Sequence, residues 1–340
     1  VKESASFYRL AADQGYMKAQ YNLGLMHIKG EGVTPDFKIA ASFFRLASEQ
    51  GYMEAQYILA VMYDIGEGVD TDIKMAVRLF KLAAEQGHMK AQYSLGLLYY
   101  KGEGVISDAK IAVSFFRLAA KQGHMGAQNK LGFMYSNGEG VTVDNKMAVS
   151  LYRLASVQGD MDAQYNLGVM HATGKGVTAD AKMAVNYYRL AAEQGHMRAQ
   201  YNLGLMYYKG EGVNADFKMA VSFIRLAAEQ GYMDAQYNLA SMYANGEGVP
   251  VDAEMAVSLY RLAAEQGDMN AQYNIGVKYA SGEGVKKDLV LSYAWVKVSA
   301  DNGYLIALAN LYEFRSMLTK KELKDALRLS NEISQKINSH

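Results

Sequence analysis

Residues 196–231 read HMRAQYNLGLMYYKGEGVNADFKMAVSFIRLAAEQG, and this stretch decides the fold because the chain repeats it. Its closing Gln-Gly pair recurs at Gln14-Gly15, Gln50-Gly51, Gln86-Gly87, Gln122-Gly123, Gln158-Gly159, Gln194-Gly195, Gln230-Gly231 and Gln266-Gly267. Every step is 36 residues, without insertion, and a degenerate copy follows at Asn302-Gly303. Between these pairs lie eight Gly-x-Gly motifs in one register, from Gly30-Glu31-Gly32 to Gly282-Glu283-Gly284. A length of 340 residues alone suggests two domains. The unbroken period overrides that expectation and predicts one all-α solenoid of helix-turn-helix units.

Comparing the repeats with one another assigns the elements. After each Gly-x-Gly-Val the chain reaches an aspartate: Asp36, Asp72, Asp108, Asp144, Asp180, Asp216, Asp252 and Asp288. An aspartate before an apolar-periodic run caps a helix by accepting orphan N–H groups and complements the helix dipole. The helix it opens, helix B, runs to the Gln-Gly pair, whose glycine suits a left-handed terminus. Lys38, Ser42, Arg45 and Glu49 form its polar stripe, and Ile39, Ala40, Ala41, Phe43, Phe44, Leu46 and Ala47 form an apolar arc expected to be covered on two sides. Helix A precedes it. Mid-helix Gly24, Gly96, Gly132, Gly168, Gly204 and Gly276 alternate with Ala60 and Ala240, so smallness is what that site requires. The Gly-x-Gly and Gln-Gly glycines are never replaced within the full repeats, as positive φ requires.

These boundaries give three segments: an N-terminal half-repeat with helix B only (1–15), eight repeats (16–303), and a degenerate repeat with a C-terminal capping helix (304–340). Phe7, Leu10 and Ala11 are expected to be partly uncovered. Thr319-Lys320-Lys321-Glu322 reads as a capping box, and the helix after it places Ala326, Leu327, Ile333 and Ile337 on one side. Such an end suits a solenoid's solubility cap.

Composition removes several function classes. Lys and Arg total 35 and Asp and Glu total 35, so the basic excess of a general nucleic-acid binder is missing. The absence of cysteine excludes disulfides, thiolate metal sites and cysteine nucleophiles. No run of about 18 apolar residues occurs, which predicts no membrane insertion. The chain opens at Val1 without a charged-then-apolar leader, so any signal peptide is expected to be removed or to lie outside this sequence, and exported and cytoplasmic settings are both compatible.

The pattern A-x-x-x-L-G-x-M-Y-x-x-G-x-G-V, then D-x-x-x-A and A-A-x-Q-G, is carried in one repeat by Ala199, Leu203, Gly204, Met206, Tyr207, Gly210, Gly212, Val213, Asp216, Ala220, Ala227, Ala228, Gln230 and Gly231. It resembles the Sel-one-like repeat family, relatives of the tetratricopeptide repeats, over essentially the whole chain. The ending LTKKELKDALRLSNEI looks like that of many bacterial members. The resemblance implies a right-handed superhelical α/α solenoid with helix A lining a concave face. It also implies scaffold or adaptor work, including membrane-associated complexes, cell-envelope machinery or host–microbe contacts.

Chemistry is sparse. The Gly-x-Gly loops follow the C-terminal, negative pole of helix A, the wrong pole for phosphate. His88, His124 and His196 share one repeat position with Tyr16, Tyr52, Tyr232, Asp160 and Asp268. They read, with His27, His171 and His340, as surface structure, and no metal or cofactor is expected. Met17, Met53, Met89, Met125, Met161, Met197, Met233 and Met269 read as core packing rather than copper sites. The invariant Gln20, Gln56, Gln92, Gln128, Gln164, Gln200, Gln236 and Gln272 are expected to hydrogen-bond inside the stack. No catalytic arrangement stands out from the repeat background, so no enzyme is expected.

What varies between repeats is a stripe on helix A at spacing i, i+3, i+7, i+10/i+11, which by analogy with tetratricopeptide grooves faces the concavity. Its partner-binding candidates are Lys18, Tyr21, Lys29, Tyr57, Lys90, Tyr93, Tyr100, Lys101, Tyr165, Arg198, Tyr201, Tyr208, Lys209, Tyr237 and Tyr273. Tyrosine in seven of eight repeats, flanked by changing charge, suits recognition of a peptide or protein. The competing reading is that these tyrosines only pack between repeats. The expected function is a monomeric protein–protein scaffold or adaptor. The alternatives are a structural envelope component that organises secretion or exopolysaccharide machinery and, less favoured on charge, an RNA-binding helical repeat.

Overall fold

An aspartate opens each helix B as the sequence requires. Asp216 takes the helical N-cap position with extended backbone, and its Oδ1 accepts the Met219 N–H at 2.9 Å. The same bond recurs from Asp36, where Ile39 donates at 2.9 Å, to Asp288, where Leu291 donates at 2.9 Å. The computed structural model describes residues 2–338; Val1, Ser339 and His340, which fall in the terminal segments, lie outside the described residues. Nineteen α-helices and no strand occur among the described residues.

Helix A spans Met17–Lys29, Met53–Ile65, Met89–Lys101, Met125–Asn137, Met161–Thr173, Met197–Lys209, Met233–Asn245 and Met269–Ser281 in repeats 1 to 8. Helix B spans Phe37–Glu49, Ile73–Glu85, Ala109–Lys121, Asn145–Val157, Ala181–Glu193, Phe217–Glu229, Ala253–Glu265 and Leu289–Asp301. A helix at Lys2–Asp13 precedes them, and helices at Leu305–Ser316 and Lys320–Asn338 follow. The chain is an all-α solenoid of tandem hairpins that divides into two compact units: Val1–Ala163 with Gly174–Thr178, and Gln164–Thr173 with Ala179–His340.

Within a hairpin the core is built from small residues and one large one. In repeat 6, Ala220, Val221, Ile224, Ala227 and Ala228 of helix B are buried against Ala199, Leu203 and Met206 of helix A. Burying a side chain the size of Ile224 contributes about 1.5–3 kcal/mol. The apolar arc of helix B is narrower than the sequence suggests: Ile39 is 41% and Leu46 45% exposed, and the equivalent leucines Leu82, Leu118, Leu154, Leu190, Leu226 and Leu262 are exposed too. The neighbouring helices close over the alanines and the aromatic and stop short of the leucine. The helix-start methionines divide: Met53, Met89, Met197 and Met233 are half-buried and pack against the core. Met17, Met125, Met161 and Met269 are exposed. The methionines nine residues on, such as Met26, Met62, Met134 and Met206, are the buried ones.

A ladder of amides ties successive helices. Gln200, 4% exposed, donates from Nε2 at 3.2 Å to the Ala192 carbonyl in the last turn of the preceding helix B, which also accepts the Gly195 N–H at 3.0 Å. Its Oε1 accepts from Gln230 Nε2 at 2.7 Å. The pattern repeats in the first unit, Gln50 to Gln20 and Gln86 to Gln56 both at 2.8 Å, and closes in the second with Asn302 to Gln272 at 2.9 Å. Both glutamine motifs are therefore one device.

The second glycine of each Gly-x-Gly has a reason beyond its turn. At Gly212, φ is +72°, and a Cβ there would sit 2.4 Å from the Ala181 carbonyl oxygen, in the first turn of the preceding repeat's helix B. Bare backbone is what lets those repeats stack. The mid-helix site is tighter than the alanines at positions 60 and 240 imply: a Cβ on Gly204 would lie 2.6 Å from Ile224 Cγ1 and 3.1 Å from the Ala220 oxygen. Ala60 and Ala240 face an aromatic, Phe80 or Tyr260, at the position equivalent to Ile224.

The ends behave differently from each other. Phe7 and Leu10 are 72% and 63% exposed, while Ala11 is half-buried. At the C-terminus the capping box forms: Thr319 N–H donates to Glu322 Oε2 at 2.9 Å and Glu322 N–H to Thr319 Oγ1 at 3.3 Å. Ala326, Ile333 and Ile337 pack inward but Leu327 stays exposed. The final helix packs on Leu289–Asp301, so it leaves Leu305, Ile306, Leu308 and Tyr312 of Leu305–Ser316 uncovered. The degenerate repeat thus presents an apolar outer side that the capping helix does not cover.

Candidate functional site

The helix A stripe holds two kinds of side chain. Its first kind is the central tyrosine, which occupies a slot between three elements. Tyr57 lies 5.8 Å from the Phe80 ring on its own helix B and stacks at 4.5 Å on His88, which precedes the next helix A. Tyr93 does the same with Phe116 at 5.8 Å and His124 at 4.2 Å, and Tyr165 with Tyr188 at 5.9 Å and His196 at 4.5 Å. Tyr21 packs on Phe44 and Tyr52, Tyr201 on Tyr232, Tyr237 on Tyr260, and Tyr273 on Tyr304 and Phe314. All seven are half-buried. Burial raises the pKa of Tyr21, Tyr57 and Tyr93, and it pushes Tyr201 up to about 12, helped by the Asp234 charge. These rings are inter-repeat mortar that shows one edge to solvent.

His88, His124 and His196 are N-caps of helix A rather than general surface residues. Their Nδ1 atoms accept the N–H of Ala91, Ala127 and Ala199 at 3.1, 3.2 and 3.1 Å. Burial lowers the pKa of His88 and His124, because a charged ring would give up its hydration, and the nearby Lys90 charge adds to this. In repeat 4, where Asn129 replaces the tyrosine, Asp160 replaces the histidine; it accepts the Ala163 N–H at 2.8 Å and Asn129 Nδ2 at 2.9 Å. His27 and His171 are buried, 8% and 6% exposed, not surface residues, and stack on Phe43 and Tyr187.

The second kind is charged. Lys18, Lys90 and Arg198 are exposed. Lys29, Lys101 and Lys209 are exposed as well, each near the glutamate of its own turn: Glu31 at 3.8 Å, Glu103 at 3.5 Å and Glu211 at 3.8 Å. Such exposed pairs contribute about 0–1 kcal/mol and yield readily to a partner. Tyr100 and Tyr208 donate to Glu139 and Glu247 of the following repeat at 2.9 and 2.8 Å, which raises both their pKa values. The repeat-3 set lies in the first unit and the repeat-6 set in the second.

Beside Tyr208 the stripe opens into a cleft of about 190 Å³ lined by Leu205, Tyr208, Lys209, Ile224, Asn238, Ser241, Met242 and Glu247. Larger grooves lie between consecutive helices B, which the periodicity did not flag. One of about 440 Å³ is lined by Arg45, Met75, Arg78 and Leu82, and one of about 420 Å³ by Arg225, Met255 and Leu262. The signal in the sequence was the invariant leucine four residues before Gln-Gly, misread as core. Beside it, Arg45, Arg117, Arg189, Arg225 and Arg261 are each held by a tyrosine hydroxyl, from 2.7 to 3.1 Å.

The chain belongs to the Sel1 repeat family, whose repeats match residues 2–16, 18–52, 54–88, 90–124, 126–160, 162–196, 198–232, 234–268 and 270–304. Sel1 repeat proteins generally mediate protein–protein interaction and form a scaffold family rather than an enzyme family. A Sel1 repeat protein from Oxalobacter formigenes is 32% identical, covering 91% of this chain and 90% of its own, with a TM-score of 0.70. A protective antigen present in uropathogenic Escherichia coli strains, with an SLR fold, is 29% identical over 98% of this chain and 95% of its own, at a TM-score of 0.63. No curated protein matches the chain.

Proposed function

We propose that this Sel1 repeat chain is a non-enzymatic adaptor that binds a protein or peptide on its helix A stripe. The observation that carries this reading is the cleft at Tyr208, whose walls Leu205, Tyr208, Lys209 and Ser241 are all stripe positions. Around it the half-buried tyrosines supply rigid aromatic edges already fixed by packing, so little conformational entropy is lost on binding. Lys18, Lys90 and Arg198 supply exposed charge for steering and register. Zero formal net charge supports a protein partner over a nucleic acid.

The test pairs Lys90→Glu with Arg198→Glu, two exposed residues outside the packing of the tyrosines. Partner isolated with the unaltered chain should bind the double variant at least tenfold more weakly, about 1.4 kcal/mol, at unchanged Tm. A second reading is favoured by the two larger grooves and their exposed leucines on helix B. Loss of binding in Leu82→Ser with Leu262→Ser, and not in the charge-reversal pair, would replace the first reading with the second.

A further inference from the structure

Tyr100 and Tyr208 occupy the same repeat position, three repeats apart, and the chain fills the space beside them differently. Each has a tyrosine donating to a turn glutamate, Tyr100 to Glu139 and Tyr208 to Glu247. Beside Tyr100 the protein supplies its own cation: Lys130 Nζ stands 5.4 Å from the centre of the Tyr100 ring and 5.7 Å from that of Phe133. At the equivalent positions beside Tyr208 stand Asn238 and Ser241. Both are short, and there the cleft of about 190 Å³ remains.

We propose that the cleft at Tyr208 takes one lysine side chain of the bound partner, its alkyl stem over Leu205 and Met242 and its ammonium between the Tyr208 ring and Glu247. The proposal rests on the helix A reading and gives it a specific occupant. Size fits a single side chain, since pockets for drug-sized ligands run about 300–1,000 Å³. Charge fits as well. Glu247 accepts from Tyr208 and, at 3.2 Å, from Asn245, two neutral donors that leave its negative charge uncompensated. Lys209 is turned to Glu211 instead. A carboxylate has about four acceptor sites, so Glu247 can take an ammonium without losing either bond. The floor is apolar, with Met242 and Ile224 buried, which suits the methylene stem of lysine. Phe217 packs T-shaped on Tyr208 at 5.2 Å outside the cleft lining, and the part of the Tyr208 ring that lines the cleft adds the ring–cation attraction that Lys130 already exploits at Tyr100.

The experiment titrates the full chain with Nα-acetyl-lysine-N-methylamide and, in parallel, with the neutral norleucine derivative, which keeps four side-chain carbons and lacks the ammonium, following ¹³C methyl resonances of Met242, Leu205 and Ile224. The lysine probe should shift them saturably and the norleucine probe at least about fivefold more weakly. Glu247→Gln, which keeps an acceptor for Tyr208, should weaken the lysine probe at least about fivefold. Asn238→Lys and Ser241→Phe, each of which restores one element of the Tyr100 site, should each abolish it. Equal binding of both probes, or lysine binding indifferent to Glu247→Gln and to Asn238→Lys, overturns the proposal. The two readings fail separately: if Asn238→Lys retains the partner while the Lys90/Arg198 pair loses it, the face stands and the lysine slot falls.

Discussion

Alanine placed at four glycines of repeat 6 and its equivalents separates three physical demands that the sequence shows as one letter. Gly195 has φ +90° and open space where a Cβ would go. Left-handed backbone costs an L-residue roughly 1–2 kcal/mol, offset by about 0.4–1 kcal/mol from a stiffer unfolded chain. Gly195→Ala should therefore lose about 1 kcal/mol. Gly212 has φ +72° and adds a Cβ 2.4 Å from a backbone oxygen and 2.5 Å from its carbon, at Ala181. No side chain can rotate away there, so the two repeats must part. Overpacking of about 1–3 kcal/mol joins the backbone cost, and Gly212→Ala should lose about 2–5 kcal/mol. Gly204 is helical, so alanine gains up to about 1 kcal/mol in propensity but meets Ile224 and the Ala220 oxygen, for a net loss of about 0–2 kcal/mol. Gly96→Ala should lose less than Gly204→Ala, because it meets the Phe116 ring rather than a backbone oxygen, and alanine already stands at position 60, where the equivalent helix B residue is Phe80. The assay is guanidinium unfolding followed by far-UV circular dichroism, comparing midpoints at equal slopes. If Gly212→Ala loses no more than Gly195→Ala, the inter-repeat contact at Ala181 is wrong.

Breaking the amide ladder by Gln230→Ala strips the buried Gln200 carbonyl of its 2.7 Å donor and should cost about 1–3 kcal/mol in the same unfolding assay. Stability should fall on acidification through the histidine caps. Their folded pKa is lowered, so the unfolded chain protonates first, and the contribution of His88 and His124 is full above about pH 6.5 and drains away as pH drops through the lowered folded value. Replacing both by tyrosine, which stands at positions 52 and 232, should flatten the Tm profile between about pH 7 and 5; an unchanged profile assigns the loss elsewhere. Tyr100→Phe with Tyr208→Phe removes two part-buried hydrogen bonds to carboxylates and should lower stability by about 1.5–3 kcal/mol each at most, with no change in helix content by circular dichroism.

The repeat made the architecture legible without any structure. A 36-residue period, an aspartate at each helix B start and irreplaceable glycines at fixed places are local, backbone-level instructions, and local instructions survive in sequence because each is enforced within a few residues. The invariant glutamines were readable as internal hydrogen-bonders because they recur unchanged in every repeat, although their partners stand 30 residues away. What the sequence could not decide was how far neighbouring helices reach over one another. Leu46 and Leu82 look like core by periodicity yet are exposed, because closure over helix B ends at the aromatic, a distance set by inter-repeat stacking. For the candidate tyrosines the sequence left recognition and packing between repeats both open, and tertiary contact shows each half-buried ring packed on its neighbours. The difference between Tyr100 and Tyr208 is of the same kind. The tyrosines and their glutamates are identical letters; whether a cavity stands beside them depends on Lys130 and Phe133, or Asn238 and Ser241, reaching across from the next repeat. Space between residues 30 or more positions apart is a property of packing, and packing is what the sequence alone does not display.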